Sequence, residues 1–178
     1  MSVPTAEQFF QVTNMLALAA WVALVLQPRW RLVSGLLCAV LVPGLLALAY
    51  AAVIGWKLSS EGLPRDDVAT IAGLRAAFRD DWVFAAAWTH YLVFDMVVGA
   101  WIARDAVRLG LPWPLRTLSL VLTFLLGPAG FLVHVVGRGV LRRAVGTGPG
   151  DAPEPLHPSA RLPVRPPAGD HRGEGDRA

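Results

Sequence analysis

Residues 88–105 read WTHYLVFDMVVGAWIARD, and what solvates this stretch decides the fold. It is apolar enough to lie in lipid, yet His90 and Asp95 stand well inside its ends. The rest of the chain sets the context. Of its 178 residues, 54% are hydrophobic and only 16% charged, against roughly 25% charged in an ordinary soluble domain. The mean hydropathy is +0.49. This composition excludes a soluble globule with a polar skin.

Crossing a hydrocarbon core of about 30 Å takes roughly 20 residues at 1.5 Å each. Four runs meet that length: 9–26, 32–56, 82–103 and 115–137. The expected fold is therefore all-α: a four-helix integral membrane bundle over residues 1–145. The first run is expected to stay rather than be cleaved as a signal peptide. No positive charge precedes it, Glu7 is acidic, and no small-residue cleavage site comes before Gln27-Pro28-Arg29. A lone cysteine, Cys38, offers no internal disulfide. The net charge of +3 does not point to nucleic acid, because the arginines flank apolar runs or sit in the tail.

From Gly146 the sequence GTGPGDAPEPLHPSARLPVRPPAGDHRGEGDRA is dense in Pro and Gly. It has too little apolar surface to offset its ordering entropy, so 146–178 is expected to be a disordered tail. Between the second and third runs, PRDDVATIAGLRAAFRDD at 64–81 predicts a short amphipathic helix on the membrane surface. Pro64, Asp66 and Asp67 suit its start, Arg75 and Arg79 its end, and Val68, Ile71, Leu74 and Phe78 recur at helical steps. Four spans put both termini on one side. Lysine and arginine near the spans number seven on that side and five on the other, which favours both termini in the cytoplasm of a bacterial cell. Trp30, Trp56, Trp82 and Trp113 fall where interfacial anchors belong. In the second span Gly35, Ala39, Pro43, Ala47, Ala51 and Gly55 form a small-residue stripe suited to close helix approach, including in a homo-oligomer, and Pro43-Gly44 predicts a bend.

Counted by depth from the shared face, Asn14, His90 and His134 come to one leaflet, with Asp95 deeper. On the fourth span Ser119, Thr123, Gly127, Gly130 and His134 follow one helical face, and Gly127-Pro128 loosens the backbone there. Ionisable groups inside spans are costly and face the interior, which makes function the default expectation. The expected site is thus a polar intramembrane pocket of Asn14, Trp88, His90, Asp95, Thr123 and His134, with Asp95 as proton donor and His90 as base. His90 and Asp95 stand about 140° apart on an ideal helix, so they flank a wide cavity or meet different neighbours. Arg104-Asp105 reads as a surface pair or a helix-end anchor. No paired-ligand spacing predicts a metal, and no phosphate loop, dinucleotide fingerprint or nucleophile elbow appears, so no cofactor is expected.

The set Trp88-x-His90, Phe94-Asp95, Gly99-x-Trp101, Arg104-Asp105 and Gly127-Pro128-Ala129-Gly130, with Asn14, Trp21 and Pro28-x-Trp30 in the first run, resembles the ABA-deficient-four-like membrane family over about 9–138. Two positions depart from it: Ala100 stands where many bacterial members carry Arg, and His134 where Tyr is frequent. Plant members of that family are required for neoxanthin formation in plastids. The resemblance implies a membrane lipid as partner and a carotenoid or other isoprenoid substrate. Violaxanthin and neoxanthin are isomers, so such a conversion needs an acid and a base rather than a redox cofactor. The sequence thus yields two functional expectations: acid-base isomerisation of an isoprenoid lipid, or a non-catalytic scaffold or lipid-binding subunit. A transporter is disfavoured because four short spans leave little room for alternating access.

Overall fold

The computed structural model describes residues 4–61 and 69–142 and is helical, with no strand among them. Helix α1 spans Ala6–Leu26 and opens on a capping box, in which Thr5 accepts from Gln8 N–H while the Gln8 side chain accepts from Thr5 N–H. Helix α2 spans Leu32–Glu61. It is wound as a π-helix over Leu32–Leu41 and as an α-helix from Val42. The change of winding falls beside Pro43, which has no N–H to give. Helix α3 is short, Ile71–Ala77, with Thr70 as N-cap. Helix α4, Asp81–Arg108, is capped by Asp80, whose carboxylate accepts from Trp82 and Val83 N–H. Helices α5, Trp113–Leu126, and α6, Pro128–Arg142, complete the chain.

Helices α1, α2 and α4 are each long and apolar enough to cross a membrane. Their outer faces carry large apolar side chains, among them Met15, Leu26 and Leu48 at about 70% exposure, which suits lipid contact and not water. Helix α4 is the central element. Its small residues admit α1: Trp21 is buried with its ring against Gly99, where any Cβ would collide with the indole. Further along, Phe9 packs on Trp82 and Phe10 on Trp88, so α1 and α4 run parallel. Trp56 meets Trp82 edge-on at 5.5 Å, which brings the end of α2 to the start of α4.

The expected fourth span, 115–137, is not one helix but a hairpin. Gly127 reverses the chain with φ 48° and ψ −97°. Along one continuous helix, Leu115 and Gly137 would be about 33 Å apart. Here a Cβ at Gly137 would stand 2.6 Å from Leu115 Cδ2, and one at Gly130 would collide with the backbone of Ser119 and Thr123. Helices α5 and α6 therefore lie antiparallel in close contact, each with 14 or 15 residues. At about 21–23 Å either is too short to span about 30 Å alone. The hairpin enters from the end of the bundle where α4 finishes, and its tip reaches Tyr91 and Asp95 halfway along α4. Consequently the start of α1 and the end of α6 lie at opposite ends of the bundle, not on one shared face.

The small-residue stripe of α2 also departs from expectation. The side of α2 that packs inward carries Val42, Leu46, Val53 and Lys57, while Ala47, Ala51 and Gly55 face outward and Gly35 and Gly55 have open space around them. Pro43 of the stripe is nevertheless buried and Ala39 packs on the core, so the departure is confined to Gly35 and the 47–55 part. Of the expected amphipathic helix the described part is α3, with Ile71, Leu74 and Phe78 exposed. Its expected opening at 64–67, Val68 and the tail from 146 lie outside the described residues.

Candidate functional site

The polar side chains expected to share one pocket separate into three groups. In the first, Asn14 of α1 accepts from Trp88 Nε1 at 3.0 Å and donates to Phe10 O at 2.7 Å. Trp88 stacks on Tyr91 at 5.6 Å between ring centres. This aromatic-amide group closes the α1–α4 seam near its start.

The second group is at the hairpin tip. Tyr91 and Asp95 lie one turn apart on the same face of α4, and both approach Gly127. A Cβ there would stand 2.9 Å from Tyr91 Oη, 3.0 Å from Asp95 Oδ1 and 3.4 Å from Asp95 Oδ2. Glycine is thus required twice over, by its positive φ and by the approach of a hydroxyl and a carboxyl. Asp95 Oδ2 is buried and has no hydrogen-bond partner among the described residues. A buried polar atom left unpaired is costly, and here it sits in the middle of a membrane-length helix.

His90 does not join this tip. Its ring packs on Phe94 at 4.7 Å and on Tyr50 of α2 at 5.6 Å, and its side chain is exposed. The expected angular separation from Asp95 is realised as contact with different neighbours. Thr123 is fully buried, but its hydroxyl donates to Ser119 O at 2.8 Å and its backbone packs against Gly130, so it joins α5 to α6.

The third group lies at the root of the hairpin. His134, fully buried, pairs its Nε2 with Asp105 Oδ2 at 2.9 Å, and Arg138 Nη1 stands 3.2 Å from the same oxygen. Arg108 Nη2 takes Asp105 Oδ1 at 2.8 Å. Trp101 covers the cluster, edge-on to His134 at 5.1 Å and beneath the Arg138 guanidinium at 5.8 Å. Asp105 is only 4% exposed, so it is no surface residue. It is the buried anion that fastens α6 to α4, and the depth count that brought His134 towards Asn14 fails because the chain turns back at Gly127. Arg104 does act as an anchor, donating to Ser34 O at 2.6 Å. The sequence did carry a signal for burial of Asp105 in its spacing from Trp101, one turn away on the same face. Its partners, however, come from beyond the turn. Among the described residues no cluster of His, Cys, Asp and Glu could hold a metal ion.

Comparison with known proteins gives one result. The family model described as ABA DEFICIENT 4-like matches residues 8–134, well over half of the chain, and the chain belongs to that family. No curated protein and no solved structure matches it.

Proposed function

We propose that this member of the ABA DEFICIENT 4-like family is a membrane protein that isomerises an oxygenated isoprenoid lipid by acid-base chemistry, with Asp95 as the proton donor at the hairpin tip. The observation that carries the reading is the unpaired, buried Asp95 Oδ2 beside the Tyr91 hydroxyl. A protonated carboxyl has one O–H to give and, once ionised, only acceptors. In an isomerisation it can donate to a substrate oxygen as a C–O bond breaks, and the resulting carboxylate can take a proton from a neighbouring carbon. Protons balance and the acid is restored, so no second residue is needed as base. Tyr91 supplies a hydroxyl that can hold the departing oxygen. His90, the expected base, has its ring against Tyr50 and Phe94, and is assigned no step.

The competing reading is a non-catalytic lipid-binding or scaffold subunit, favoured by the Asp105–His134–Arg138 cluster, in which polar groups do fasten helices. Expression in a pigment-producing host separates the two. Asp95→Asn is expected to remove the isomerised product while the protein accumulates normally, with His90→Ala retaining product. An unchanged lipid and carotenoid profile in Asp95→Asn, at normal abundance, defeats the catalytic reading.

A further inference from the structure

A groove runs between α1 and α5. Its outer part has a volume of about 260 Å³ and is lined by Val22 and Val25 of α1 and Val121 of α5, with no polar atom facing it. Its inner part, about 190 Å³, is bounded by Asn14 and Leu92. Leu18 and Phe124 line both parts. Trp21 forms the floor, in contact with Phe124 at 5.5 Å. From Leu26 to Asn14 the two parts follow thirteen residues of α1, about 18 Å for twelve rises of 1.5 Å. Leu92 precedes Asp95 by one turn and Phe124 precedes Gly127 by one turn, so two lining residues of the inner part lie one helical turn from the hairpin tip.

We propose that this groove binds one extended hydrocarbon chain that carries an oxygen function at its inner end. The inference rests on the acid-base reading above and adds the route by which the ligand lies against the tip. The outer part offers only apolar side chains, so it selects hydrocarbon. Among its lining residues a polar side chain appears only at the inner end, where the Asn14 amide sits, and Tyr91 and Asp95 lie beyond that lining, against Gly127 at the hairpin tip. A membrane phospholipid has the opposite arrangement, because its acyl chains end in methyl groups. The groove therefore discriminates by placing a hydrogen-bonding group where ordinary bilayer chains have none.

The test uses the full chain in phosphatidylcholine nanodiscs and an isoprenoid alcohol carrying a mid-chain diazirine. After irradiation, peptides are mapped by mass spectrometry. Crosslinks at Leu18, Val121 and Phe124 should exceed those at the outward-facing Leu48 and Leu132 by about tenfold, equivalent to roughly 1.4 kcal/mol of preference. The same hydrocarbon without the hydroxyl should lose most of that enrichment. Val121→Trp and, independently, Leu18→Phe should abolish it while the protein stays monodisperse. Even labelling over all lipid-facing residues, or equal groove labelling by a diazirine phosphatidylcholine, overturns the proposal. Asp95→Asn keeps a polar end and should label like wild type. Groove labelling with an unaltered product profile would therefore sink the catalytic reading alone, and lost product without groove labelling would sink the groove alone.

Discussion

His134 Nε2 stands 2.9 Å from Asp105 Oδ2, joining α6 to α4 across 29 positions of sequence inside a buried cluster. Asp105 is also the counter-charge of Arg138 and Arg108. One carboxylate thus holds the root of the hairpin, and its loss removes the anion 3.2 Å from the fully buried Arg138.

Removing one member of a buried charge cluster costs about 3–5 kcal/mol, because the remaining charge stays desolvated. Asp105→Ala is therefore expected to lower the thermal midpoint in detergent sharply. Replacing Asp105 and Arg138 together by leucine should recover much of the loss. Equal destabilisation by the single and the double variant would show that shape, not charge, holds this joint.

The glycines divide into two classes that a stability scan can read. Gly130 faces the backbone of Ser119 and Thr123, which cannot move aside cheaply, whereas Gly55 has open space around it. Gly130→Ala should destabilise by several kcal/mol, as overpacking against fixed backbone does at its upper end. Gly55→Ala should be neutral or stabilising by up to about 1 kcal/mol, from helix propensity alone. Comparable losses at both positions would mean that α5 and α6 do not pack as a hairpin.

Much of this architecture was legible in the sequence. Helices α1, α2 and α4 follow from uninterrupted apolar length, and Trp30, Trp56 and Trp82 fall near ends of α2 and α4, with Trp113 at the start of α5. The hairpin was signalled but weakly. Gly127-Pro128 is the pairing of a helix-stopping glycine with a helix-starting proline, and in lipid the same dipeptide is also tolerated as a kink. Hydropathy reports only total apolar length and cannot tell a 23-residue span from two halves folded together. Ser119, Thr123 and Gly130 read as one face of a single helix, whereas Gly130 of α6 packs against Ser119 and Thr123 of α5. Once that turn is misplaced, His134 goes to the wrong leaflet and Asp105 to the surface. The tip pair Tyr91–Asp95 shows the converse: Asp95 stood out by its charge alone, while Tyr91 carried no signal until Gly127 was placed beside it.

At the opposite end, Lys57 binds both Asp80 and Glu61. The Lys57 hydrogen bond holds the Asp80 carboxyl below its ordinary value of 3.8, with further help from Val83 and Trp82 N–H. A lowered carboxyl stabilises the fold at pH above 3.8, and that contribution disappears as pH falls through the folded-state value. Asp80 is 40% exposed, so the pair is worth only about 0.2–1 kcal/mol, as for solvent-accessible pairs. Asp80→Asn retains an N-cap oxygen for α4 and should flatten this part of the acid unfolding profile. An unchanged profile would assign the acid sensitivity to other carboxyls.

The hairpin also redistributes charge across the bundle. With α6 returning to the end where α4 finishes, Arg29, Arg31, Arg104, Arg108, Arg116 and Arg138 belong to that end among the described residues. Among the described residues the other end keeps Lys57, Arg75 and Arg79. The bias of the four-span count is thereby reversed, and the excess of arginine now favours a cytoplasmic location for the α6 end and an external one for the start of α1. Reporters fused ahead of Ala6 and after Arg142, in a bacterial inner membrane, should be active on opposite sides, with the C-terminal fusion cytoplasmic. Activity of both on one side would restore a fourth full crossing. Opposite sides with the N-terminal fusion cytoplasmic would keep the hairpin and show that the arginines clustered at its root, Arg138 and Arg108 among them, are neutralised by Asp105 before they can act as a topology signal.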